Sequence, residues 1–136
     1  MDLFELSCSR LMSRKPSKPA ISLRPRLRVL CDDETTLGPG RVDLLEFIAQ
    51  TGSLRSAAEQ MGMSYMRAWK IVQSLNTWFR PALVEVVRGG RSGGGAKLTE
   101  SGREIVTLYR RMEKESQKAM EDNWRELRKF LKTKHG

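Results

Sequence analysis

The 136-residue sequence predicts a mainly α fold with a small two-stranded β element and a long C-terminal helix. Three observations lead to this prediction. Glycines followed by serines divide the middle of the chain into segments with apolar residues at helical spacing. A glycine-rich stretch lies between two short apolar runs, as at the tip of a hairpin. A further pattern of three- and four-residue steps then continues from residue 100 to about residue 130.

The first part of the chain lacks a regular pattern. Residues 1–22 are rich in Ser, Pro, Lys and Arg, and we expect a flexible basic tail there. Residues 27–30 form a short apolar run that ends at an acidic cluster, residues 32–34, and this predicts a strand. The Gly-Pro-Gly sequence at residues 38–40 then interrupts the chain and precedes the first helix.

Three helices are predicted next, and each has residues that define its ends. They cover residues 41 to about 51, 54–61 and 65 to about 79. Ser53 and Ser64 are suited to cap the second and third helices, because a serine hydroxyl accepts a hydrogen bond from an amide of the first turn. Gly52 and Gly62 end the first two helices, and Pro81 stops the third.

Two strands are predicted at residues 83–87 and 97–99. The intervening sequence, RGGRSGGGA, fits neither a helix nor the interior of a strand. It has part of the pattern of a phosphate-cradling nucleotide loop, because Gly90 and Gly95 have the required spacing, but Ala96 stands where such a loop needs lysine. We therefore predict a hairpin with a glycine-rich tip and exclude nucleotide hydrolysis.

A continuous helix, capped by Thr99, is predicted from residue 100 to about residue 130. Gly102 near its start costs about 1 kcal/mol relative to alanine. Its acidic residues alternate with basic ones, and we expect them to form a solvated face. Its apolar side chains are more than a small domain can cover, so we expect this helix to build a homodimer. These side chains include Ile105, Leu108 and Met112.

The composition excludes several classes of protein. Lysine and arginine total 25 against 16 acidic residues, and the net charge of +9 suits a polyanionic partner. Cys8 and Cys31 have neither metal-ligand nor disulfide-framework spacing, and the single histidine, His135, is next to the last residue. We therefore expect no catalytic activity, no metal site and no cofactor. Without a membrane-length apolar run or a signal-peptide pattern, the protein is expected to be cytoplasmic.

The central signal lies in residues 53–75. Two closely crossing helices need a small residue at the crossing, which Ala58 supplies, and a residue tolerant of positive φ in the turn, which Gly62 supplies. Ala68 would then pack the second helix against the first. An ordinary pair of packed helices has the same spacing, but the glycine-tipped hairpin behind it completes a winged helix-turn-helix, with residues 83–99 as the wing. This fold predicts binding to double-stranded DNA.

The second helix of the pair is expected to enter the major groove with its N-terminal end. Arg67 and Lys70 can pair with guanine edges or phosphates, and Tyr65 can contact a phosphate or sugar. Ser53 and Arg55, at the start of the preceding helix, suit a phosphate oxygen. Residues 63–97 contain six basic residues and a single acidic one. The predicted DNA-binding set is Ser53, Arg55, Ser64, Tyr65, Arg67, Lys70, Arg88, Arg91 and Lys97.

Two stretches, GMSYMRAW from residue 62 and GGRSGGGAKLTESG from residue 89, carry a family resemblance. They are similar to the N-terminal domain of the ModE family of molybdate-responsive regulators and, more broadly, to the LysR-type winged helix. The resemblance covers about residues 23–120. It implies a homodimer, built by the long helix and the N-terminal strand, on a palindromic operator. It also implies base and phosphate contacts by Ser64, Tyr65, Arg67 and Lys70, and wing positions for Arg88, Arg91 and Lys97.

Members of that family continue into oxyanion-binding domains, whereas this sequence ends at Gly136, so we expect no molybdate binding by this chain. The predicted organisation is a basic tail (1–22), a winged helix-turn-helix domain (23–99) and a dimerisation helix (100–136). The predicted function is that of a sequence-specific DNA-binding transcription regulator. Two alternatives stay open: a nucleoid-type binder without sequence preference, and a protein-interaction module that uses the long helix.

Overall fold

A computed structural model describes residues 20–87 and 95–132 of the chain. Most of the predicted basic tail and the wing residues Arg88 and Arg91 therefore lie outside the described residues. The elements, in chain order, are β1 (Val29–Cys31), β2 (Glu34–Leu37), α1 (Pro39–Thr51), α2 (Leu54–Met61), α3 (Tyr65–Trp78), β3 (Val84–Val87), β4 (Gly95–Leu98), α4 (Glu100–Ala119) and α5 (Glu121–Arg128). The predicted mainly α fold with a small β wing is confirmed.

One hydrophobic core joins α1, α2, α3, the β3–β4 hairpin and α4. Helix α1 is the centre of this core, since apolar side chains from several of its sides are buried. Helices α2 and α3 pack on it through alanine, valine and leucine side chains. The fully buried side chains include Leu44, Leu45, Ile48, Ala57, Ala68, Val72, Leu75 and Val106. Burial of this apolar surface is the main source of stability in so small a domain.

The predicted helix ends are confirmed. Gly52 and Gly62 lie in the left-handed region, with φ of 68° and 67°, and end α1 and α2. Ser53 Oγ accepts a hydrogen bond from the Ser56 amide at 3.1 Å, and Ser64 Oγ accepts one from the Arg67 amide at 3.1 Å. These caps fix where α2 and α3 begin, which in turn fixes the direction of their first turns.

The N-terminal strand is half of a hairpin that the sequence did not predict. β1 begins at Val29, two residues later than expected, and pairs antiparallel with β2. The acidic cluster is the turn between them and not the end of the β structure, because Asp32 and Asp33 adopt positive φ of 49° and 67°. Aspartate tolerates this region, since its short side chain can bond to nearby backbone.

The predicted long C-terminal helix is confirmed as α4, but it does not continue to about residue 130, because it is interrupted at Met120. α4 ends at Ala119, and the Met120 amide is shared between the carbonyls of Ser116 and Gln117, each at 3.2 Å. A second helix then begins with two acidic residues, Glu121 and Asp122, in its first turn. Acidic side chains stabilise a helix N-terminus, so this sequence favours a new start over continuation.

Gly102 permits α4 to pack closely against the start of the wing. An added Cβ at this position would lie 2.2 Å from the Leu83 carbonyl oxygen. The same oxygen accepts a hydrogen bond from the Thr99 amide at 2.9 Å. Thr99 caps α4 as predicted, because its hydroxyl oxygen accepts a bond from the Gly102 amide. The glycine that weakens the isolated helix is therefore required by the tertiary contact.

Residues 20–28 form a strap along α4. The Tyr109 hydroxyl donates a hydrogen bond to the Leu27 carbonyl at 2.7 Å, and Gln117 Nε2 donates one to the Leu23 carbonyl at 3.2 Å. Burial, with the negative charge of Glu113 nearby, raises the pKa of Tyr109 to about 12. The hydroxyl therefore keeps its proton and remains a donor across the physiological range.

Candidate nucleic-acid interface

Helices α2 and α3 meet with the geometry expected of a helix-turn-helix. Ala58 and Ala68 are both buried between the two helices. The turn between the helices is closed by the Met63 amide, which donates to the Ala58 carbonyl at 3.0 Å, and by the positive φ of Gly62. The three small residues that predicted this motif therefore have the predicted places.

The N-terminal end of α3 is the most exposed part of that helix. Ser64, Tyr65, Arg67 and Lys70 are all exposed there, so the structure brings this part of the predicted site together. Ala68, Val72 and Leu75 hold the opposite side of the helix in the core. Side chains at the free end of α3 are consequently available to a partner while the helix itself is fixed.

Arg55 and Tyr65 connect the first turns of α2 and α3. The Arg55 guanidinium lies over the Tyr65 ring, 5.4 Å from its centroid, within the range of a cation–π contact. Nearby, the Ser53 hydroxyl accepts the capping bond described above and retains its own proton to donate. The Arg55–Tyr65 contact therefore joins the starts of the two helices.

The β3–β4 hairpin forms the base of the wing. Glu85 and Lys97 are paired across the strands, and Lys97 Nζ is 3.5 Å from Glu85 Oε2. Both side chains are mostly exposed, so this ion pair contributes little to stability. It places the Lys97 ammonium on the outer surface of the wing, next to a carboxylate that offsets part of its charge.

Asn76 attaches the wing to α3, and sequence reasoning missed this residue. Its Oδ1 accepts hydrogen bonds from the amides of Leu83, at 2.9 Å, and Val84, at 3.2 Å. Its Nδ2 donates to the Val84 carbonyl at 3.0 Å. We call these three bonds the Asn76 clamp. On the other strand, the Ala96 amide donates to the Gly52 carbonyl at 3.0 Å, so both strands are held to the helices.

Arg110 is the centre of a buried charge cluster that was also not predicted. Its guanidinium donates to Asp43 at 2.6 Å, to Glu113 at 2.9 Å and to Glu46, whose side chain is fully buried. Burial by itself lowers the pKa of Arg110, but the bonds to Glu113, Glu46 and Asp43 outweigh burial and raise it. The cluster joins α1 to α4.

One acid departs from the solvated face expected for the long helix. The other acids of that helix are exposed as expected: Glu100, Glu104, Glu115, Glu121, Asp122 and Glu126. Glu113 lies within hydrogen-bonding distance of Arg110 and is largely buried. The partners of Arg110 on α1, Asp43 and Glu46, are more than sixty residues away from it in the sequence. Local charge alternation carries no information about such a contact.

Within residues 20–87 and 95–132, no group of three or more His, Cys, Asp or Glu side chains is arranged to hold a metal ion. None of the helices in this part of the structure combines the length and the apolar character needed to cross a membrane.

Comparison with known proteins defines the class of the domain. Residues 41–103 match the family model described as bacterial regulatory helix-turn-helix protein, lysR family. The matched region runs from the start of α1 to the first turn of α4 and includes the whole helix-turn-helix and the wing. These residues therefore form a LysR-type DNA-binding domain.

Individual relatives support the more specific resemblance. The chain is 41% identical over 96 residues to the molybdenum transport protein ModE of Azotobacter vinelandii. The matched residues make up 71% of this chain and 36% of that protein. It is 39% identical over 83 residues to the DNA-binding transcriptional dual regulator ModE of Escherichia coli K12, and 40% identical over 84 residues to the molybdenum-pterin-binding protein MopA of Rhodobacter capsulatus. These matches cover 61% and 62% of this chain.

The resemblance to the ModE DNA-binding domain is therefore confirmed. The chain spans about a third of the length of these relatives, with 32% to 36% of each protein matched. The expectation that the chain binds no molybdate stays a prediction.

Proposed function

We propose that this protein is a sequence-specific DNA-binding transcription regulator that acts as a homodimer on a palindromic operator. The observation that carries the proposal is the free N-terminal end of α3, with Arg67 and Lys70 exposed on a LysR-type helix-turn-helix. Binding alone is the proposed mode of action, through contact with or occlusion of polymerase, and no reaction is catalysed.

In the proposed complex, α3 is the recognition helix. Its first turn enters the major groove, where Arg67 reaches a base edge and Ser64, Tyr65 and Lys70 contact bases or nearby phosphates. Ser53 and Arg55, at the start of α2, contact the phosphate backbone beside the groove. The wing adds further backbone contacts through Arg88, Arg91 and Lys97.

Replacing Arg67 with alanine tests the reading of bases. We expect a loss of about 1–3 kcal/mol on the best site and a relaxed preference at one base-pair position. Arg91→Ala is the matched control, because a residue that contacts only phosphates weakens good and poor sites equally. It should lower the salt dependence of binding by about one phosphate. The measurement is titration of matched and scrambled duplexes at several salt concentrations.

This titration also tests the alternative of a nucleoid-type binder and the roles assigned to the two arginines. A wild-type protein that binds both duplexes with equal affinity at every salt concentration is a nucleoid-type binder, and the proposed specificity is then wrong. Altered base preference in Arg91→Ala, with none in Arg67→Ala, reverses the two assigned roles.

The homodimer is supported by exposed apolar side chains on α4 and on the N-terminal hairpin. Leu108 and Met112, one turn apart on α4, are 41% and 48% exposed. Val29 and Leu30 of β1 are exposed as well. Ile105, predicted to belong to the same surface, packs partly against the core of its own chain. A second copy of the chain is the occupant we propose for this surface.

Introducing charge tests this surface. The double variant Leu108→Glu/Met112→Glu is expected to be a folded monomer, because two carboxylates would be desolvated in the interface. Lys114→Glu, at an exposed position of the same helix, is the control and should stay dimeric. Sedimentation at micromolar concentration measures both, and a monomeric wild type contradicts the proposal.

A further inference from the structure

The strap of residues 20–28 carries a row of arginines that the predicted DNA-binding set does not include. Burial alternates along it: Ile21, Leu23, Pro25 and Leu27 are partly buried, while Ser22, Arg24, Arg26 and Arg28 are exposed. This period of two is typical of an extended chain with one face on the protein. The outer face therefore presents three arginines in succession, which we call the arginine row.

Two hydrogen bonds to α4 fix the strap at two points, and their spacing fits an extended chain. Its anchors on α4, Tyr109 and Gln117, are eight residues apart, which is about 12 Å along a helix axis. The carbonyls that they bind, on Leu27 and Leu23, are four residues apart. The strap thus rises about 3 Å per residue, close to the rise of an extended chain. Neighbouring members of the row are consequently about 6–7 Å apart.

No ion pair neutralises the arginine row within the described residues. None of the three side chains forms an ion pair or a side-chain hydrogen bond to another residue there. The acids that follow in the sequence, Asp32, Asp33 and Glu34, lie at the β1–β2 turn and form no ion pair with the row. Arg110, by contrast, has three carboxylate partners. Three like charges in a line repel one another, so an arrangement of this kind is stabilised by an external polyanion.

We propose that the arginine row binds the phosphate backbone of duplex DNA, in addition to the contacts of α3 and the wing. This inference rests on the proposed function. Duplex DNA is favoured over other polyanions because it is a rigid linear array, with one charge per about 1.7 Å of its axis, and the row is itself linear and fixed. The planar guanidinium of arginine also binds phosphate in a bidentate manner. Phosphate contacts carry no sequence information, so the row adds affinity and not specificity.

The test is the salt dependence of binding to a labelled duplex of scrambled sequence. The variant R24Q/R26Q/R28Q is expected to lose about two to three units of the slope of log K against log salt, and about ten- to a hundredfold in affinity at low salt. The variant R24K/R26K/R28K should keep most of the slope, because each lysine retains the charge. The control is R125Q/R128Q/K129Q, which removes the same charge from α5, where Arg125 and Lys129 are already paired with Asp122 and Glu126.

The control should leave the slope unchanged. The inference is overturned when the row variant keeps the wild-type slope, when the control loses as much, or when the row variant loses binding to heparin or single-stranded RNA but not to the duplex. Thermal unfolding of each variant verifies that the fold is intact. Failure of the proposed function is a separate result: Arg67→Ala then leaves base preference unaltered, whatever the row variant does to the slope.

Discussion

Arg110→Ala is expected to lower the free energy of unfolding by about 3–5 kcal/mol, because it removes a cation that bonds to three carboxylates at the α1–α4 contact. Glu46 is fully buried, so solvent cannot take the place of the guanidinium at its side chain. Urea unfolding at neutral pH, followed by circular dichroism, measures the loss. Arg111→Ala removes an exposed arginine from the next position of the same helix and should stay within about 0.5 kcal/mol of wild type.

The loss in Arg110→Ala should also depend on pH. Without the guanidinium, the neighbouring carboxylates of Asp43, Glu46 and Glu113 repel one another in the folded variant, and this repulsion favours proton binding there. A group whose folded pKa is raised contributes stability below the unfolded pKa and loses it as the pH rises through the folded pKa. The difference in the free energy of unfolding between variant and wild type should therefore become smaller as the pH falls from 7 toward 5. A small, pH-independent difference would show that the cluster does not hold buried charge.

Gly102→Ala is expected to destabilise the fold by about 3 kcal/mol, although alanine favours an isolated helix. The new methyl group would overlap the Leu83 carbonyl oxygen, which belongs to the backbone and cannot move without disturbing the start of the wing. α4 and the wing would have to move apart to relieve this overlap. In the proposed complex, the same displacement would weaken the contacts of the wing with DNA.

Gly40→Ala is the matched control for this substitution. Gly40 lies in the first turn of α1, and an added Cβ there has no other atom within 4 Å. Alanine at this position should be neutral or stabilise the protein by up to about 1 kcal/mol, since it reduces the entropy of the unfolded chain. Thermal unfolding of the two variants gives the comparison, and equal melting temperatures would contradict the close contact at Gly102.

The local elements could be predicted from the sequence because their signals are local. Ser53, Gly62 and Ser64 each act on a backbone within three or four residues, and the limits of α2 follow from them. The same holds for the placement of Ala58 and Ala68, whose small size is useful only where two helices cross. The exposed residues of α3 could be predicted from these positions, since the buried side of a helix defines its exposed side.

The missed features depend on contacts between distant parts of the chain. Arg110 meets Asp43 and Glu46 across more than sixty residues, and no spacing rule connects them. Gly102 was interpreted as a helix-weakening residue because the carbonyl that requires it belongs to another element. The Asp32-Asp33 turn was overlooked for a different reason: its signal is local, but two acidic residues without glycine are an uncommon choice at positive φ.

The Asn76 clamp affects how two contacts with DNA would combine in the proposed complex. One side chain of α3 holds the first residues of β3, so the wing keeps a fixed distance from the recognition helix. When α3 enters a groove, the wing is already close to the neighbouring phosphates. Its binding to them would then be an intramolecular event with a high effective concentration. In that complex, release would require both contacts to open together. The clamp would therefore lengthen the residence time of the protein on its site and leave the rate of first encounter unchanged.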